Sequence, residues 1–185
     1  MLEVSYFGVP IKVYSFTGQV VDSNKHLETK VTGSGGGGAM YQGNGAIAPV
    51  SIKSSTTVHD QFFLVDENGK EISVKLQNWD VSLRSQHTLQ VIWAIPGKAT
   101  TGPYVAIKNH NLNELSWSQE QLKLVVTPCL LKHVFIGVGI SILLAYLLSS
   151  FGTAIVVGIM TYINFIIRRN MLAQDLKKKI EAALT

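Results

Sequence analysis

The side chains that could do catalytic or metal chemistry are few in this sequence, and their spacing fits no familiar site. The five histidines stand at positions 26, 59, 87, 110 and 133, and none belongs to a His-Glu-x-x-His motif. The single cysteine, Cys129, cannot supply a cysteine-rich zinc site or an internal disulfide. His59 precedes Asp60, a pair that suits acid–base or metal chemistry, but local hydrogen bonding is the simpler interpretation. No Gly-x-Ser-x-Gly motif occurs, so we predict no catalytic residue, no metal, no cofactor and no enzymatic activity.

A glycine-rich stretch over residues 33–45 is the other candidate for chemistry. A phosphate-binding loop of the Gly-x-x-x-x-Gly-Lys-Ser/Thr type needs a lysine that this stretch lacks. Consecutive glycines disfavour both helix and central strand because they have no side chains to pack. We therefore favour a hairpin connection, and a nucleotide-binding, ligand-binding or enzymatic use of residues 33–45 is the alternative.

The strongest signal in the chain is an apolar block over residues 134–167, which contains no Asp, Glu, Lys, Arg or His. One helix of this length would measure about 50 Å at ~1.5 Å per residue, whereas the hydrocarbon core of a bilayer is about 30 Å thick. Ser149, Ser150 and Gly152 offer a break in the middle. The block therefore predicts a transmembrane helical hairpin with its turn at about residues 149–153, either spanning the membrane or re-entering on one side.

The distribution of charge supports this hairpin. The net charge is +4, and acidic and basic residues balance over residues 1–118. The excess flanks the apolar block, in a set that we assign to the membrane edge: Lys123, Lys132, Arg168, Arg169, Lys177, Lys178 and Lys179. A hairpin places both flanks on the cytoplasmic side, where basic residues concentrate. We expect no nucleic-acid partner, because the folded domain carries no basic excess.

Small residues recur every four positions in the apolar block, which places them on one face of each helix. They are Gly137, Ser141, Ala145 and Ser149 in the first arm, and Ala154 and Gly158 in the second. Small residues at this spacing let helix backbones approach closely in lipid. The face serves either the hairpin's own interface or self-association of several copies, and the two uses are compatible.

Residues 1–118 show short alternating segments separated by turn residues. The clearest is a hairpin in which Asn68 and Gly69 join residues 61–65 to residues 70–76. This pattern predicts a small antiparallel β barrel or sandwich, SH3-like or OB-like. Trp79 and Trp117 are the aromatic residues that we expect to be exposed and to serve as a partner surface, with Trp117 also suited to a bilayer interface.

Two helical segments flank the predicted hairpin. Residues 119–133 predict a connector that starts as a helix, with Ser116 or Ser118 as its N-cap and an interruption at Pro128. Residues 168–185 predict a basic amphipathic helix with an apolar face of Leu172, Leu176, Ile180 and Leu184. That face suits a membrane surface, a partner or other copies of the chain.

These features predict a membrane-anchored, non-enzymatic protein whose β-rich domain binds a partner or ligand. Its other partners would be the lipid bilayer and either its own copies or another membrane protein. Residues 1–20 lack a basic segment followed by an apolar one, so a cleaved secretion signal is not expected. We place the chain in the inner (cytoplasmic) membrane as a multi-pass protein with both termini in the cytoplasm. A homo-oligomeric pore or membrane-remodelling assembly is the alternative function.

Overall fold

The computed structural model describes residues 1–36, 38–41, 44–47, 50–148 and 151–184. The strands over these ranges are β1 (Leu2–Tyr6), β2 (Val9–Ser34), β3 (Gly38–Tyr41), β4 (Asn44–Ile47), β5 (Ser51–Val65), β6 (Glu71–Gln77), β7 (Thr88–Pro96), β8 (Tyr104–Asn109) and β9 (Glu114–Trp117). The helices are α1 (Gln119–Leu148) and α2 (Phe151–Leu184). Antiparallel β-structure followed by two long apolar helices is thus confirmed.

Seven of the described strands form one antiparallel sheet in the order β6-β5-β2-β7-β8-β9, with β1 also paired to β2, while β3 and β4 form a separate hairpin. The sheet is not closed into a barrel, so the barrel form of the predicted barrel or sandwich is wrong, whereas its antiparallel β-structure is confirmed. The reason is the length of β2. β1 pairs with its first residues, Val9–Val13, and β5 pairs with it from Gln19 onward. Neighbouring strands therefore attach to successive stretches of β2 instead of curling around one axis.

The chain divides into two compact units, the first made of residues 1–18 and 87–185. Its core lies between strands β1, β2, β7 and β8 on one side and the first part of α1 and the last part of α2 on the other. Sheet residues of this core include Ile11, Ile92 and Val105, and they are buried together with Leu122 and Val126 of α1. Helix α2 completes the core with Ala173, Leu176 and Ile180.

The second unit comprises residues 19–86. Here Phe62 and Leu64 of β5 and Val74 of β6 are fully buried, which follows from the alternation of side chains along a strand. The predicted β5–β6 hairpin is confirmed, and Gly69 has a φ of 77° at its turn. This left-handed conformation is the one that glycine adopts without a steric cost. The aspartate before the turn, Asp66, accepts hydrogen bonds from the backbone N–H groups of Asn68 and Lys70.

Several strands differ from the sequence-based expectation. Strand β2 continues through Gly18, where glycine disfavours a strand interior, with a register shift between Val20 and Asp22. Residues 114–117, which read as the approach to a helix, form the edge strand β9 on β8. Pairing with an existing strand outweighs weak local preference in such short segments.

Helix α1 begins where the sequence indicates and then runs past its predicted break. The hydroxyl of Ser118 accepts a hydrogen bond from the backbone N–H of Gln121, which confirms Ser118 as the N-cap. The predicted interruption at Pro128 is wrong, because the proline lies inside the helix. A proline in a helix interior costs about 3 kcal/mol. Burial of Val126 and Cys129 on either side of it stabilises the continuous helix.

The predicted amphipathic helix over residues 168–185 is the end of α2 rather than a separate element. Leu176 and Ile180 of its apolar face are buried in the core of the first unit, and Leu172 and Leu184 pack against that core. The expectation that this face meets a membrane surface or another copy is therefore wrong. The proposed subdivision into residues 1–118, 119–133, 134–167 and 168–185 stays a prediction.

Candidate functional site

The candidate chemical residues do not converge. Among the described residues, no group of three or more His, Cys, Asp or Glu side chains could hold a metal ion. His59 and Asp60 are neighbours on β5, so their side chains point to opposite faces of the sheet. His59 Nε2 lies 3.1 Å from Glu28 Oε2, whereas buried Asp60 lies 3.9 Å from the Lys25 ammonium group. The two side chains therefore do not form an acid–base pair.

The glycine-rich stretch contributes a small hairpin where it is described. Strands β3 and β4 pair in the register Ala39–Ala46 and Tyr41–Asn44. Residues 37, 42, 43, 48 and 49 lie outside the described part of the chain. The pairing agrees with a hairpin connection, and use of residues 33–45 for a ligand stays a prediction.

The most unusual surface belongs to the helices between residues 134 and 167, here called the apolar band. Both helices are long and apolar enough to cross a membrane. Large apolar side chains of the band are strongly exposed, for example Phe135 at 71% and Ile142 at 66%. Others point outward around both helices: Ile136, Val138, Ile140, Leu143, Tyr146, Leu147, Ile155, Val156, Ile159, Met160, Tyr162, Ile163 and Ile167. Soluble domains rarely leave so large a continuous apolar surface in water.

Outside the band, the apolar side chains of the same two helices that face the core are buried, as in a soluble protein. Leu122, Val126 and Leu130 of α1 are at most 1% exposed, and Leu176 of α2 is fully buried. The helices run antiparallel, since the Gln174 amide donates to the Gln119 side chain near one end and Gly137 faces Thr161 farther along. Each helix therefore has one end in the core of the first unit and one end in the apolar band.

The predicted small-residue positions fall on different surfaces. A Cβ atom added to Gly137 would lie 2.5 Å from Thr161 Cγ2, so glycine permits the close approach of α1 and α2. Ser141 is buried beside it and donates a hydrogen bond of 2.8 Å to the Gly137 carbonyl. Gly158 faces open space instead. Ala145 and Ala154 lie within the helices, and Ser149 lies outside the described residues.

A group of mainly polar residues, which we call the neck, lies between the apolar band and the core of the first unit. It consists of His133 on α1, Asn164 and Arg168 on α2, and Phe7 at the turn between β1 and β2. Phe7 is 48% exposed and has a φ of 52°, and its ring centroid lies 4.6 Å from that of His133. The strand turn thus reaches the helices at the level where their apolar surface begins.

A groove between α1 and α2 opens at the neck. It has a volume of about 380 Å³ and is lined by both helices. His133, Asn164 and Arg168 line one part, and Gly137, Ile140 and Met160 line another. Because Gly137 lies opposite Thr161, His133, Asn164 and Arg168 occupy the end nearer the sheet, and Ile140 and Met160 line the end nearer the tip. Apolar Leu130, Val134 and Phe165 also line the end nearer the sheet.

The predicted membrane-edge basic residues separate into two groups. Lys132 and Arg168 are exposed at the neck, and the half-buried Arg169 guanidinium lies 5.5 Å from the Phe165 ring. Lys123 is half-buried and lies nearer the start of α1 than Lys132 does. Lys177 lies over the Trp117 ring at 5.2 Å, Lys179 pairs with Asp175 at 2.7 Å, and Lys178 is exposed. These three lysines lie about 13 Å or more from Arg168 along α2, at ~1.5 Å per residue.

A partly buried hydrogen bond joins the first strand to the second helix. The Tyr6 hydroxyl donates to Asp175 Oδ2 at 2.7 Å, and Lys179 binds the same oxygen. Burial and the bond to Asp175 raise the pKa of Tyr6 well above its ordinary value. Hydrogen bonds from Lys179 and Tyr6 lower the pKa of Asp175. The arrangement favours neutral tyrosine and ionised aspartate, so it holds β1 against α2 near neutral pH.

The two tryptophans chosen as a partner surface behave differently from expectation. Trp79 is only 9% exposed, so its predicted exposure is wrong. Trp117 is half-buried, packs against the core and is covered by Lys177. Sequence reasoning missed Phe7, Asn164 and Tyr6. Asn164 carried a usable signal, because it is the one amide side chain in the apolar block.

No protein-family model, curated protein or solved structure matches this chain. No relative therefore lends it a function. What supports a function is the geometry of the described residues, above all the apolar band, the neck and the open sheet.

Proposed function

We propose that this protein is a non-enzymatic membrane protein whose helical hairpin inserts the apolar band into a bilayer and holds the β-sheet at the membrane surface. One observation carries the proposal. Within the same two helices, side chains are buried in the core on one side of the neck. On the other side, large apolar side chains of both helices are exposed except where α1 and α2 pack on each other. A helix that is apolar all round is stable inside a protein core or a membrane, and no described part of the chain covers the band.

The length of the band sets the depth of insertion. Residues 134–148 and 151–167 would extend about 22 and 25 Å at ~1.5 Å per residue, compared with about 30 Å for the hydrocarbon core. A hairpin with its neck at the headgroup level thus reaches most of the way across. It forms either a thin span or a deep re-entrant hairpin. Phe7 suits the headgroup level, where amphipathic and aromatic groups anchor proteins.

The orientation follows from the flanking charges. Lys132, Arg168 and Arg169 lie on the sheet side of the band, and the predicted tip carries no charge. Basic residues concentrate on the cytoplasmic side of membranes. We therefore propose an inner-membrane, multi-pass protein with both termini and the sheet in the cytoplasm.

The second unit offers a surface for a partner. Beyond residue 26, β2 and β5 form a two-stranded ribbon in which Leu27 pairs with Val58, and Gly33 with Ile52. These residues and Val31 share one face, and Ile52 is 70% exposed. An isolated two-stranded ribbon is marginally stable in water. Covering this face by a protein partner would stabilise the ribbon, and we assign partner binding to it.

A second candidate function is a homo-oligomeric pore or membrane-remodelling assembly. Gly139 on α1 and Gly158 on α2 face open space within the apolar band. Exposed glycines allow another helix to approach closely in lipid. Ser141 does not serve this purpose, because it is buried against its own hairpin.

Membrane extraction tests the first proposal directly. The full chain should stay in the membrane pellet after an alkaline carbonate wash and leave it in mild detergent. An Ile142→Arg, Ile159→Arg double variant should lose that behaviour, because each buried arginine costs about 2.5–3.5 kcal/mol at the centre of a span. Lys70→Arg, in the β5–β6 turn, serves as the control. A wild-type protein that remains soluble and monodisperse without detergent would contradict the proposal.

A further inference from the structure

We propose that the groove at the neck binds one anionic phospholipid, with its phosphate at His133, Asn164 and Arg168 and an acyl chain along the apolar end. This inference rests on the proposed membrane insertion and adds a specific lipid to it. The groove's volume of about 380 Å³ lies within the range typical of small-molecule sites. It opens along one side, so part of a long chain can lie in it while the remainder stays in the bilayer.

The order of residues along the groove matches the order of groups in a lipid. Asn164 and Arg168 lie toward the sheet, and Ile140 and Met160 lie toward the tip. A lipid in the leaflet next to the sheet has its headgroup and its acyl chains in this same order. A lipid from the far leaflet would have to place its chains against the polar end, which burial of unpaired polar groups disfavours.

The charge at the polar end selects an anion. The sequence has no acidic residue between Glu120 and Asp175, so the helix segments that line the groove carry only positive charges. Arg168 is exposed, and none of the described carboxylates forms an ion pair with it. A guanidinium binds phosphate through two parallel N–H donors. The Asn164 amide and the His133 imidazole add donors that can reach the remaining phosphate oxygens.

Phe7 gives the polar end a fixed wall. Its ring lies against His133 with the ring centroids 4.6 Å apart, and Phe7, Asn164 and Arg168 also line a second depression on the neck. The strand turn therefore lies beside both the His133 ring and the Arg168 side chain. Such preorganisation reduces the entropy lost when a ligand binds.

Native mass spectrometry of the full chain in mild detergent tests the site, with palmitoyl-oleoyl phosphatidylglycerol and phosphatidylcholine as the probes. We expect one phosphatidylglycerol to bind at least about tenfold more tightly than phosphatidylcholine. Arg168→Gln should remove about that tenfold preference, and Lys178→Gln, an exposed charge on the same helix outside the groove, should leave it unchanged. Met160→Trp should weaken both lipids by filling the apolar end.

Three results would overturn the site. They are equal binding of the two lipids, equal losses in Arg168→Gln and Lys178→Gln, and displacement of the lipid by millimolar inorganic phosphate, which would indicate a simple anion site. Carbonate extraction of membranes that contain the same protein variants, before detergent is added, separates the two proposals. A chain that stays in the membrane but shows no lipid preference contradicts only the lipid site, whereas a chain that leaves the membrane contradicts insertion itself.

Discussion

At the scale of single residues, the bond between Tyr6 and Asp175 joins positions 169 apart in sequence. Tyr6→Phe keeps the packing of the ring and removes the hydroxyl. We expect it to lower the free energy of unfolding by about 1 kcal/mol, typical of one buried hydrogen bond. Thermal unfolding in mild detergent measures the loss, with Tyr14→Phe as the control. An unchanged melting temperature would mean that Lys179 alone satisfies Asp175.

The same pair predicts a dependence of stability on pH. The folded-state pKa of Tyr6 is raised, so its contribution is complete below the unfolded value of about 10 and disappears as the pH rises above it. The folded-state pKa of Asp175 is lowered, so its contribution is present above about 3.9 and disappears as the pH falls through the folded value. Melting curves of wild type and Tyr6→Phe should converge at alkaline pH. Curves that stay parallel up to pH 11 would argue against the bond.

Residue-level features could be predicted from the sequence only where they are local. The Ser118 cap and the turn at Asn68 and Gly69 follow from residues a few positions apart, and both are confirmed. Tyr6, Asp175 and Phe7 contact residues that are distant in the sequence, so no short sequence pattern predicts their roles. Trp79 was wrongly expected at the surface, because residues 77–80 on their own show no pattern that predicts its burial.

At the scale of elements, Pro128 destabilises helix α1. Pro128 is exposed and removes one backbone hydrogen bond from the helix. We expect Pro128→Ala to raise the free energy of unfolding by about 1–3 kcal/mol, measured by chemical denaturation in detergent, with Leu131→Ala as an exposed control on the same helix. A destabilised variant would show that the fold needs the local geometry that proline imposes.

The interface between α1 and α2 and the open face of the hairpin can be distinguished with a matched pair of glycine variants. Gly137→Leu places a side chain against Thr161 and should force α1 and α2 apart, lowering the melting temperature. Gly158→Leu meets open space and should leave the melting temperature within about 2 °C, the scale of a ΔΔG near 0.5 kcal/mol. Crosslinking in mild detergent then measures the self-association of each variant. If Gly158→Leu abolishes oligomers, that face is intermolecular, and if oligomers persist unchanged, self-association through that face is excluded.

The elements themselves were partly predictable. Hydropathy and charge identified two apolar helices, and alternation identified most strands. The length of β2 and the absence of barrel closure were not predictable, because strand pairing between distant segments decides them. The sequence predicts that the end of α2 is amphipathic, but it does not predict what the apolar face of that segment packs against. Its Leu176 face looks the same whether it meets a membrane, another copy or the core in which the structure places it.

At the scale of the whole molecule, the central claim is that the band enters the bilayer from the side that carries the sheet. The lone cysteine makes this measurable, since Cys129→Ala leaves a background without thiols. Single cysteines are then placed at Gly152 near the tip, at Glu67 in the β5–β6 turn and at Lys178 on α2, all of which are exposed.

Labelling with a membrane-impermeant maleimide in sealed vesicles of both orientations gives the most direct test. We predict that Glu67→Cys and Lys178→Cys react from the sheet side, whereas Gly152→Cys reacts only from the far side or only after detergent is added. Far-side reaction indicates a full span, and protection from both sides indicates a re-entrant hairpin. A Gly152→Cys variant that reacts from the sheet side as fast as Glu67→Cys would place the apolar band in water and contradict the claim.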